Sequence, residues 1–159
     1  MTEWVTSDSY RDLSDDGVDA HNKRMIALLR ANGGMVPGAP DSEMRVLILT
    51  ITGARTGMQR LTPLGYVEHQ GRRYIAGSNG GQESPPAWIF NVRANPSVIA
   101  EVGGGSYPAR IRELGPEERD DVFAVLVSKH PFFGEYQARI RRTIPVFEVV
   151  ERSAALSTG

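Results

Sequence analysis

Residues 49–66, reading LTITGARTGMQRLTPLGY, set two apolar, β-prone runs on either side of a Gly-punctuated loop that carries Arg55 and leads into Arg60. The first run extends back to Met44 and is apolar without alternation over residues 44–51, which predicts a strand buried on both faces. The second continues over residues 60–68 and returns through His69-Gln70-Gly71 into residues 72–77, a hairpin with alternating faces. Between the runs, backbone N–H groups in a Gly turn can cradle phosphate oxygens, and a guanidinium adds a planar, permanently charged donor. A plain hairpin rim has the same composition, so the loop alone leaves both readings open.

Outward from this stretch, a helix is expected from the Ser14 cap, with Asp15 and Asp16 in its first turn. Val18, Met25, Ile26, Leu28 and Leu29 form one apolar stripe before the Asn32-Gly33-Gly34 stop. Residues 87–95 form a short helix between Pro86 and Pro96, and residues 98–102 and 107–114 a second hairpin joined by Gly103-Gly104-Gly105. Pro116 opens a helix with Glu117 and Glu118 in its first turn and Phe123, Leu126 and Val127 on its core face. A helical piece over residues 135–142 precedes a last strand over residues 145–150. The expected architecture is α+β: about six mostly antiparallel strands in a closed or nearly closed barrel with short helices packed outside. Residues 1–13 read as an N-terminal tail, 14–152 as one domain and 153–159 as a second tail.

The chain has 159 residues and a formal net charge of -1, with no clustered basic excess of the kind nucleic acid requires, so the expected partner is a small molecule. Cys 0 removes thiolate chemistry and disulfides, and His21, His69 and His130 are too scattered to form a metal site, so no metal is predicted. The N-terminal stretch has neither the basic start nor the apolar core of a secretory signal, and no apolar run approaches the roughly 20 residues that a membrane span needs. A cytoplasmic protein is expected, monomer or homodimer. The amphipathic first helix leaves room for weak peripheral contact at the inner membrane face, although its polar side carries both signs.

Taken together, LTITGARTGMQRLTPLGY, YIAGSNGGQ, PAWIFNVRANPSVIAEVG and EYQ with RTIPVFEV resemble the deazaflavin-dependent nitroreductase and quinone reductase family, in order and spacing, from about Arg30 to Val150. The resemblance implies a split β-barrel that binds the 8-hydroxy-5-deazaflavin coenzyme F420, a hydride carrier with an anionic phosphodiester-linked oligoglutamate tail. It places Arg55 and Arg60 against the phosphate, with N–H donors from Thr52, Gly53, Thr56 and Gly57. The ring slot falls on Thr62, Pro63, Leu64, Ile75, Ala76 and Gly77, and backbone amides of Ser78, Asn79 and Gly80 meet the ring carbonyls. Many family members carry lysine where this chain has Asn79. Trp88 would wall the pocket or serve as core, while Asn91, Arg93 and Asn95 read as scaffold. On the substrate side, where relatives that act on nitroimidazoles have several tyrosines, this chain has Phe132, Phe133 and Tyr136. Tyr136 and His130 are the candidate proton donors, and the two phenylalanines either touch substrate or pack the last helix.

The expected activity is hydride transfer from the reduced deazaflavin to a small conjugated acceptor: a quinone, an unsaturated carbonyl or a nitro compound. Two alternatives stand beside it, an FMN-binding oxidoreductase on the same barrel and a non-catalytic carrier of coenzyme or small ligand.

Overall fold

The computed structural model describes residues 15–35 and 45–152. The expected tails, the Ser14 cap, the side chains of residues 15–19 and of His21, and most of the loop after Met35 lie outside the described residues.

Continuous apolarity in β1 (Arg45–Thr52) has the expected outcome. Leu47, Leu49 and Ile51 point into a barrel, while Val46 and Ile48 point outward beneath α1 (Asp15–Ala31). The other strands are β2 (Gln59–His69), β3 (Arg72–Ala76), β4 (Ser97–Val102), β5 (Gly105–Glu113) and β6 (Val146–Glu151). They close in the order β1-β2-β3-β6-β5-β4, and every neighbouring pair is antiparallel. All six strands contribute to the interior, with Tyr66, Ile75, Ala100, Ile111 and Phe147 among the contributors. Each fully buried Leu, Ile or Phe there stabilises the fold by about 1.5–3 kcal/mol.

The helices α2 (Ala87–Ala94), α3 (Pro116–Lys129) and α4 (Phe132–Arg139) take distinct places. Trp88, Ile89 and Val92 of α2 belong to the barrel interior, whereas α3 and α4 cover the outward side chains Val67, Tyr74 and Val146. α1 sets Met25 and Leu29 on Val46 and Ile48, and Arg30 holds Glu101 through two hydrogen bonds of 3.0 and 2.8 Å. The buried part of the α1 stripe is thus occupied by the sheet rather than presented to a lipid surface. None of the described helices is long and apolar enough to cross a membrane.

Two boundaries depart from expectation. The three-glycine connection shrinks to a two-residue turn, because Gly105 already pairs with Val102. The last helix runs over residues 132–139 instead of 135–142. Pro131, at φ -56 and ψ -22, accepts the N–H groups of Gly134 and Glu135 and so starts the helix early. Gln137 ends it by accepting the Ile144 N–H and donating to the Arg142 carbonyl, each at 2.8 Å.

The ladder between β2 and β3 is short, as is the one between β1 and β4, where only Ile48 to Thr50 pair. β2 pairs with β1 over eight residues, Gln59 to Tyr66, but with β3 only from Val67 to His69. Beyond the Val67–Tyr74 pair β3 follows β6, and Gly77 still donates its N–H to the Pro145 carbonyl. Residues 59–66 of β2 therefore form an edge, where Pro63 is tolerated because an edge position can do without an N–H donor. Continuing the register of the last pair across this seam would set residues 64–66 opposite residues 75–77.

Candidate active site

One end of the seam is the loop of residues 53–58. Gly53 donates to the Met58 carbonyl (2.8 Å), Gly57 to the Gly53 carbonyl (3.0 Å) and Met58 to Thr56 Oγ1 (3.2 Å). Ala54 donates to Asn91 Oδ1 at 3.0 Å, and Asn95 Nδ2 reaches the Thr52 carbonyl at 3.4 Å, so α2 fixes the root of the loop. These bonds use two of the four expected donors, Gly53 and Gly57. Gly53 and Gly57 shape the turn, and the N–H groups that no described residue accepts are those of Arg55 and Thr56.

The guanidinium groups of Arg55 and Arg60 are exposed and have no carboxylate partner among the described residues. Arg30, Arg73, Arg93, Arg112 and Arg119, in contrast, are all ion-paired. Two cations beside free amides, without neutralising acids, suit an anionic ligand group.

The facing lip is the loop after β3. Ser78 is right-handed helical (φ -78, ψ -27), Asn79 is left-handed (φ 48), and Gly80 follows at φ 63. A right-then-left pair of residues turns successive N–H groups toward one concavity that attracts negative charge. Asn79 is among the residues that tolerate this conformation, and its amide group folds back to donate to the Ser84 carbonyl at 2.9 Å. Its side chain is thus a brace of the loop.

The expected slot residues divide between two faces. Leu64 packs on the barrel interior and Ala76 on the cluster beneath α3 and α4, with Thr62 and Pro63 half-buried along the β2 edge. Ile75 is 1% exposed, and Gly77 is covered by Ile89 and Pro145, so these two lie behind the seam. Trp88 meets Phe147 edge-on at 5.3 Å within the interior cluster.

On the α4 side, Tyr136 is 3% exposed, with its ring against Gly81, next to the Ser78–Gly80 donors. Phe133 is buried and Phe132 half-buried, 4.6 Å apart between ring centres, and Phe132 lies 5.4 Å from Tyr136. His130 caps the end of α3 and stacks near Phe132 at 5.6 Å. Its neighbour Lys129 donates to the Glu68 carbonyl, which places His130 at the opposite end of β2 from Arg60. Eight strand residues, at roughly 3.3 Å each, span about 26 Å. Partial burial, and then the charge of Lys129, hold the His130 imidazole below its ordinary pKa.

Sequence reasoning missed Arg142, whose guanidinium donates to the carbonyls of Gly77, Ser78 and Gln82 from about 60 residues away. Nothing local distinguishes it from Arg139 or Arg141, because its partners are backbone atoms of a distant loop.

Residues 22–151 match the family described as F420H(2)-dependent quinone reductase. An F420H(2)-dependent quinone reductase of Mycobacterium tuberculosis is 32% identical over 123 residues, covering 76% of this chain and 80% of its own. A solved F420-H2 dependent reductase, FDR-A, shares 40% identity at a TM-score of 0.60, covering 65% of this chain and 92% of its own. A second solved chain, described as a domain-swapped dimer, shares 34% identity at a TM-score of 0.62 over 83% of this chain and 98% of its own.

Proposed function

The chain belongs to the F420H(2)-dependent quinone reductase family, and on that premise we propose that it reduces a quinone at the seam between β2 and β3, in preference to unsaturated carbonyl or nitro compounds. The coenzyme of the family is F420, whose reduced form supplies a hydride, and a quinone that accepts it also takes up one proton to become the hydroquinone. The observation that carries the reading is the pair of guanidiniums, Arg55 and Arg60, that have no carboxylate partner among the described residues and stand at the foot of the β2–β3 seam.

In this reading Arg55 and Arg60, with the N–H groups of Arg55 and Thr56, would hold the coenzyme phosphate, on a loop shaped by Thr52, Gly53 and Gly57. Thr62, Pro63 and Leu64 from one lip, and Ala76, Ser78, Asn79 and Gly80 from the other, would hold the ring, with Gly77 and Trp88 supporting from behind. Catalysis is mostly positioning, since binding both reactants in one cleft replaces a bimolecular encounter. Phe132 would offer the acceptor an apolar wall, with Phe133 packed beneath it. Between a monomer and a homodimer, the domain-swapped dimer of a similar chain favours the homodimer. Light scattering should then give twice the 17.4 kDa chain mass, and a single-chain mass would refute it.

For the proton we favour Tyr136, which adjoins the loop donors, over His130 at the far end of β2. The two differ in pH dependence. Partial burial, and then the Lys129 charge, depress the pKa of His130 and favour its neutral form. Were it the acid, kcat would fall as pH rises through that depressed value. If His130 takes no part in the step, kcat shows no such fall from about pH 5.5 to 8.5. A kcat that declines across the acid half of that range would transfer the role to His130.

The activity is tested by following oxidation of reduced F420 with 1,4-naphthoquinone, an unsaturated ketone and a nitroaromatic, alongside a titration with FMN. Turnover fastest with the quinone is expected. Tight FMN binding without F420H2 turnover, or F420 binding without turnover on any acceptor, would overturn the proposal.

A further inference from the structure

Arg142 follows α4 and is half-buried beneath the loop of residues 77–82. Its Nη1 donates to the Gly77 carbonyl at 3.0 Å, its Nη2 to Ser78 and Gln82 at 3.1 and 3.0 Å, and its Nε again to Gln82 at 3.2 Å. One planar fork thus gathers three carbonyls. In a trans peptide the C=O of one residue and the N–H of the next point in opposite directions. Carbonyls 77 and 78 turned toward Arg142 therefore turn the N–H groups of Ser78 and Asn79 away from it, and the left-handed Asn79 brings the Gly80 N–H round beside them. None of these three N–H groups has an acceptor among the described residues.

The backbone around Arg142 is itself tied down. Its carbonyl accepts Gln137 Nε2 at 2.8 Å, and the Arg141 N–H donates to the Glu83 carboxylate. Burial pulls the Arg142 pKa down from its ordinary value. An arginine nonetheless keeps its charge under these conditions, so a fixed cation stands behind the loop.

We propose that Arg142 is a positioning residue for hydride transfer: by gathering the Gly77, Ser78 and Gln82 carbonyls it aims the Ser78, Asn79 and Gly80 N–H groups across the seam as donors to the coenzyme ring. The proposal rests on the reading of the seam as the F420 site. Lysine cannot replace the fork, because an ammonium is a point donor and cannot present planar donors at the angles of three separate carbonyls.

The test is an amide-resolved NMR titration of the intact chain with F420, applied to wild type and to Arg142→Lys and Arg142→Met. In wild type the Ser78, Asn79 and Gly80 amides should shift together with those of Arg55 and Thr56. In both variants the shifts at 78–80 should be lost while those at 55–56 persist, Kd for F420 should rise at least tenfold, and kcat should fall with the acceptor KM unchanged. A merely structural arginine would move both sets of amides together. Full recovery in Arg142→Lys, or unchanged Kd in both variants, would overturn the proposal. Should the variants not fold, wild type still decides: shifts at 55–56 without any at 78–80 refute the role of Arg142 alone. Absence of both sets refutes F420 binding at the seam.

Discussion

Arg55→Ala and Arg60→Ala should each weaken F420 binding by about 1.5–3 kcal/mol, roughly 12- to 160-fold, without lowering the stability of the protein. The size follows from what surrounds them. No described carboxylate competes for either guanidinium, and neither side chain covers core, so removal deletes an interaction with ligand and little else. The contact is exposed, so affinity in wild type should fall with added salt, and more steeply than in either variant. Arg55→Lys should retain part of the binding, since it keeps the charge and loses the bidentate fork. A fluorescence titration of F420 at two ionic strengths reads all of this. Unchanged affinity in both alanine variants would remove the anchor.

The second large effect is on the opposite lip. Gly81→Ala should destabilise the fold by about 2–4 kcal/mol, summing the strain of a left-handed residue with a side chain and the overpacking of a filled space. Gly81 has φ +82, and a Cβ there would lie 2.8 Å from the Tyr136 ring, so that either the ring or the loop must move. Gly57→Ala is the internal comparison. At φ +71 it has the same kind of backbone, but its Cβ would face open space, so about 1–2 kcal/mol is expected. Urea unfolding of both variants checks the difference. Equal losses would show that Tyr136 does not press on the loop as described. In Gly81→Ala, coenzyme affinity should drop as well, because Gly81 continues directly from the Ser78–Gly80 donors.

The strands were largely legible because their signals are local. The apolar run of β1 states that both faces are covered, and the Gly loop marks where the chain turns into β2. Arg55 in the turn and Arg60 after it stood out in the sequence as cations, and both are exposed without a carboxylate partner among the described residues. What could not be read is how donors are shared out. Gly53, Ala54 and Gly57 look like phosphate donors in the sequence, yet they close the turn and meet Asn91, which leaves Arg55 and Thr56. The start of α4 was hidden because Pro131 acts as a helix opener only once His130 has ended α3. Tyr136 and His130 looked equivalent, six residues apart, until one was found against Gly81 and the other near the far end of β2. Arg142 stood in the sequence only as the first residue of RTIPVFEV, with no role to read there, since its partners are carbonyls that every residue possesses.

Docking of F420 at the seam is tested most directly by where its anion is held. A crystal structure of the chain with F420 should show the phosphate within hydrogen-bonding distance of both Arg55 and Arg60 and of the Arg55 and Thr56 amides, with the ring entering the β2–β3 seam. A phosphate bound elsewhere, with both guanidiniums still free in solvent, would contradict it.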